Sequence, residues 1–154
     1  MTDAIAVLVK ALDEAFDRKG WHGANLRGSI RGMAADTAAW RPAPGRHNIW
    51  EIVVHAAYWK YAVWRRLTGE KRGSFPLKGS NWFERPAAGA DWKADLALLT
   101  QMHRQLREAI VGLDGKDLQV TPESSKVSNV TILTGIAAHD LYHAGQIQLL
   151  RRLR

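Results

Sequence analysis

Four stretches of the chain repeat apolar residues at three- and four-residue steps, the period of one helix face, and no stretch makes a convincing strand run. The first expected helix runs from about Asp3 to Lys19, with Ile5, Leu8, Leu12, Ala15 and Phe16 on one side and Gly20 as its stop. A shorter helical piece carries Leu26, Ile30 and Met33, and Pro42, Pro44 and Gly45 then force a turn. The second helix is expected over about residues 48–67. The third starts near Asp91, carries Leu96, Leu99, His103, Leu106, Ile110 and Leu113 on one face, and ends with help from Gly112 and Gly115. The fourth starts at Ser128 or Asn129, both good caps, and runs to the C-terminus. Four such helices with short-to-moderate links imply an all-α fold, a four-helix bundle in a single domain over residues 1–154.

The second helix is unusual in being apolar on both sides. Ile52, Trp59, Ala62 and Val63 fall near His55, whereas Trp50, Val54, Ala57, Tyr61 and Trp64 fall opposite. A helix apolar all round is buried all round. A second subunit is the obvious cover for the extra face, so a homodimer is expected. The connection from Thr68 to Ala90 is long and rich in Gly and Pro, and its Trp82 and Phe83 imply that it folds back onto the bundle.

Composition removes several chemistries. With no cysteine, there are no disulfides, thiolate metal sites or cysteine nucleophiles. The N-terminus has no basic flank before an apolar run, and no apolar run approaches the ~20 residues that span a bilayer, so a cytoplasmic protein with no membrane partner is expected. The net charge of +7 is spread along the chain, with short pairs at Arg65-Arg66, Lys71-Arg72 and Arg151-Arg152. Two of those pairs fall at expected helix C-termini, where the helix dipole favours cations, and no nucleic-acid partner is expected.

The chemistry lies in the histidines. His139 and His143 are four apart, so they differ by ~40° around the helix and ~6 Å along it. Both rings face one way, from the middle of an apolar face, and both can reach one ion at ~2.0–2.1 Å. Asp140 follows His139 and no Glu lies between the pair, so this is not the metalloprotease HExxH pattern. A third ligand must come from another helix. His55 and His103 both lie on apolar faces and compete for that place. His47 lies ~12 Å before His55 along the axis and cannot share its ion, and His22 reads as a loop or helix-start residue. Glu51, Asp140 and Gln146 lie close enough to orient a ligand imidazole, although each reads more simply as a partly exposed polar residue. No catalytic residue is singled out.

The segment from His47 to His55, HNIWEIVVH, resembles the second-helix signature of DinB-like proteins. The segment from His139 to Ile147, HDLYHAGQI, resembles their fourth-helix signature and is the most specific part of the match. The Trp40-Arg41-Pro42 turn fits too, and the likeness runs in order along nearly the whole chain. It implies an up-down-down-up four-helix bundle, usually dimeric, with a divalent metal held by His55, His139 and His143. It leaves His103 and His47 with structural or surface roles.

Three neutral nitrogens leave an open position that can ionise a water or a substrate thiol near neutral pH. Zinc is the commonest match for such a site, and nickel and iron(II) also tolerate imidazole. The resemblance implies a metal-dependent enzyme acting on a small molecule, either a thiol S-transferase using a low-molecular-weight thiol or a hydrolase. The alternative is a non-catalytic metal-binding protein in stress response or interaction.

Overall fold

The computed structural model describes residues 1–154 as six α-helices, one 3-10 turn over Gly115–Gln119 and no strand. The helices are α1 (Asp3–Phe16), α2 (Leu26–Ser29), α3 (Ala35–Ala39), α4 (Ile49–Thr68), α5 (Trp92–Val111) and α6 (Asn129–Leu153). Four are long, and they pack in a ring: α1 and α4 each lie against both α5 and α6. None of them is long and apolar enough to cross a membrane.

Local chemistry sets the ends of α4, the helix that carries the first histidine. The Asn48 side chain accepts from the Glu51 amide and caps the N-terminus. Its amide nitrogen donates to the carbonyls of Ala39 and Arg85, at 3.2 and 2.7 Å, so one residue ties α4 to the end of α3 and to the connection that follows α4. At the other end Gly69 takes φ +75, a left-handed stop that costs a glycine little. Arg65 and Arg66 lie in the last turn of α4, and Arg151 and Arg152 in that of α6, where the helix dipoles favour them.

The first part of the chain departs from expectation. α1 ends at Phe16 rather than Lys19, because the chain bends back through a bridge between Gly20 and Gly23, and Asn25 holds the Arg18 carbonyl at 2.8 Å. That bend brings α2, a single turn, against α6, where Gln148 and Arg151 hydrogen-bond to Ser29. The short α3 was not expected at all.

The apolar back of α4 is covered within the chain. Trp50, Val54, Ala57 and Tyr61 are buried and Trp64 partly so. They share one cluster with Trp92, Leu98 and Leu99 of α5 and with Phe75 and Phe83 of the connection. Trp50 meets Trp92 edge to face and donates to Asp95 at 2.7 Å. The surface that suggested a homodimer therefore already has its cover, in α5 and the 68–90 connection.

The core divides into two apolar clusters, and each long helix passes from one to the other at nearly the same level. On α1 the change falls between Leu12 and Phe16, on α4 between Tyr61 and Val63, on α5 between Met102 and Leu106, and on α6 between Ile136 and Ile147. The division is polar. Lys60, His103, Asp140 and His143 are all buried there, with Lys60 and Asp140 wholly enclosed and paired to each other.

Candidate metal centre

His139 and His143, in this polar layer on α6, meet His55, which stands among residues of the first apolar cluster on α4. His55 comes from the middle of α4, and the other two from successive turns of α6. Each offers one ring nitrogen to a common point, and these nitrogens lie within 4.8 Å of one another, so the three could hold a metal ion. His139 Nε2 is 3.1 Å from His55 Nε2 and 3.0 Å from His143 Nε2. His55 and His143 are buried, and His139 is half-buried.

The outer nitrogens determine what the inner ones present. His55 Nδ1 donates to the Asn81 carbonyl at 2.8 Å, and His143 Nδ1 to the Gln146 side-chain oxygen at 2.7 Å. A neutral imidazole has one N–H, so both Nε2 atoms carry lone pairs. His139 has a single proton to offer, and it can serve one of the two close contacts. Its Nδ1 is buried with no hydrogen-bond partner. At least one of the two close contacts therefore has no proton between its nitrogens, an arrangement that a cation would relieve. Right-angle or tetrahedral bonds of ~2.0–2.1 Å place ligand nitrogens roughly 2.9–3.4 Å apart, which fits the two spacings.

The rings are neutral at physiological pH. Burial pulls the His55 pKa down to about 4, against the opposing pull of the Asn81 carbonyl. Burial, with the neighbouring His143 and His55, takes His139 down to about 3. His143 is also lowered, chiefly by burial, with the Gln146 bond working the other way. Neutral imidazole is the form that binds metal.

The 68–90 connection closes over one side. Asn81 stands at φ +66, a left-handed conformation that asparagine tolerates better than most residues. From there its carbonyl reaches His55, and its side chain accepts from Trp59 Nε1 at 2.9 Å. The next residue, Trp82, stacks on His55 at 3.8 Å between ring centroids and on His47 at 3.6 Å. Beside His139 a cavity of about 190 Å³ is walled by Trp59, Val63, Arg66, Ile132, Gly135 and Ile136.

A family model of the DinB superfamily matches residues 5–147. The chain belongs to the DinB superfamily. No curated protein and no solved structure matches it.

Within this DinB-superfamily chain the other expected residues take distinct places. Gln146, read from sequence more simply as a partly exposed polar residue, holds His143 through its side-chain oxygen. Glu51 instead binds Arg41, His47 and the Arg85 amide. Burial works to raise its pKa, but those three partners bring it down to about 2, so it is an ionised clasp for the start of α4. Asp140 faces Lys60 rather than a histidine. His103 stacks on Phe16 at 3.6 Å, near Asp13, outside the cluster. His47 is exposed, held by Glu51 and Trp82, and His22 is exposed beside Gly20.

Reasoning from sequence did not reach Asn81, Lys60 or Arg66. Lys60 had a signal: it sits among apolar residues on a helix apolar all round, and so has no solvated face available. Asn81 had only the tolerance of asparagine for left-handed backbone, inside a loop with several other turn residues.

Proposed function

We propose that His55, His139 and His143 hold one divalent metal ion through their Nε2 atoms, and that the protein is a metal-dependent enzyme of thiol S-transferase or hydrolase type. The carrying observation is that His55 and His143 each commit Nδ1 to an acceptor and turn an unprotonated Nε2 towards His139. Membership of the DinB superfamily, often metal-binding, supports the same reading, as does the up-down-down-up order it implies for the four long helices. Zinc suits the three neutral nitrogens best, with nickel or iron(II) tolerated.

When bound, the ion would supply Lewis acidity towards a substrate donor in the coordination position the histidines leave open. The chain's own part is to orient and enclose. Asn81 and Gln146 fix two tautomers and ring planes, and such outer partners commonly tune metal affinity by ~10–100-fold. Trp82 covers the face of His55. The cavity against His139 gives a substrate a place beside the centre, which favours catalysis over a closed structural site.

Elemental analysis of untagged protein tests the reading, beside the His55/His139/His143 triple-alanine variant. About one equivalent of metal, lost in the variant, is the expected result. No uptake even after incubation with zinc, nickel and iron(II) would overturn it. A non-catalytic metal-binding role is the second reading. Metal uptake without thiol transfer or hydrolysis across a broad substrate panel would favour it.

A further inference from the structure

The cavity beside His139 has one wall whose chemistry the metal centre does not use. Arg66 lines it, at the end of α4, and its Nε is buried without a hydrogen-bond partner. The guanidinium lies 5.8 Å from the Trp59 ring and forms no ion pair. Glu70 and Glu123 line a separate recess on its other side without pairing to it. Arg65 and Arg72 add positive charge near it, against the two carboxylates of that recess, and no acidic group of the chain claims the guanidinium. The remaining walls, Trp59, Val63, Ile132 and Ile136, are apolar.

Gly135 forms the last side. It lies in the interior of α6, where glycine is the poorest helix former after proline. A Cβ built there would meet nothing within 4 Å, so the missing side chain leaves open space in the cavity wall. The cavity opens to solvent and offers about 190 Å³, room for a ligand with a small apolar body.

We propose that this cavity binds the substrate, a small organic acid with an apolar body, its carboxylate anchored by Arg66 and its other end facing His139. Arginine presents paired donors that match a carboxylate, and the guanidinium of Arg66 is half-buried at the cavity with no acidic partner in the chain. The proposal rests on the three-histidine centre as the reacting end.

The test is calorimetric titration of zinc-loaded protein with benzoate and with its neutral counterpart benzamide. Zinc content is measured for the wild type, Arg66→Met, Arg66→Lys and Gly135→Leu. Benzoate is expected to bind at least tenfold more tightly than benzamide to the wild type. Arg66→Met should erase that preference, and Arg66→Lys should keep most of it. Gly135→Leu should weaken both ligands at least tenfold, with zinc retained in every variant. Equal binding of the two probes, no binding of either, or an unchanged preference in Arg66→Met would overturn the proposal. Failure to take up zinc would instead count against the metal centre, and the same titration on metal-free protein would then score Arg66 alone.

Discussion

The backbone carbonyl of Asn81 fixes which nitrogen of His55 faces His139, although 26 residues separate the two partners. The carbonyl is aimed by the left-handed backbone at Asn81. Replacing the side chain by Ala removes the bond to Trp59 and makes that backbone costly, whereas Gly removes the bond alone. Asn81→Ala should therefore weaken zinc binding by about tenfold, and Asn81→Gly by clearly less. Competition against a chromophoric chelator measures both. Equal losses would show that the side chain, not the aimed carbonyl, matters.

The two histidines that sequence alone left in competition are easily separated. His143→Ala should lose most of the bound metal, and His103→Ala should retain about one equivalent, because His103 packs on Phe16 outside the cluster. Equal loss by elemental analysis would refute the ligand set.

Lys60 and Asp140 are both fully enclosed and pair across α4 and α6. Removing one member strands the other charge, which in comparable buried pairs costs about 3–5 kcal/mol. Lys60→Met should show that loss in urea unfolding. The double variant Lys60→Met/Asp140→Leu should recover most of it. A double variant as unstable as the sum of the singles would mean the pair is not coupled.

His103 should make the fold acid-sensitive. Burial, with Lys60, Arg107 and Arg27 nearby, lowers its pKa from 6.5 to about 2. In the unfolded chain the ring takes up a proton as pH falls below about 6.5, while in the folded chain it does not. Its contribution is therefore fully present above that pH and is lost as pH falls towards 2. At pH 4.5 the loss amounts to roughly 2–3 kcal/mol. His103→Leu should flatten the fall in stability between pH 7 and 4.5 by about that amount. An unchanged slope would show that the folded state protonates His103 readily.

The helices that carry the histidines were legible because their signals are local. Asn48, Gly69, Asp91 and Ser128 mark ends, and a four-residue step puts His139 and His143 on one face. The partner of that face, and the cover of the back of α4, were not. Trp50, Tyr61 and Trp64 report that something must bury them, without saying whether it is another chain or the chain's own Phe75 and Phe83. Glu51 and Asp140 sat at the right turns to brace a histidine, but stronger partners claim them: Arg41 takes the first and Lys60 the second. Those partners lie 10 and 80 residues away, and only packing identifies them.

Trp82 lies flat against His55. An indole in ring contact with a prospective ligand is an optical reporter already installed in the fold. An open-shell ion such as nickel(II) would quench its emission, whereas closed-shell zinc would leave it bright. Exchanging Trp82 for Phe would isolate its signal from the other six tryptophans. Whether the bound ion is zinc or an open-shell metal would then be readable from light, in dilute solution and in real time.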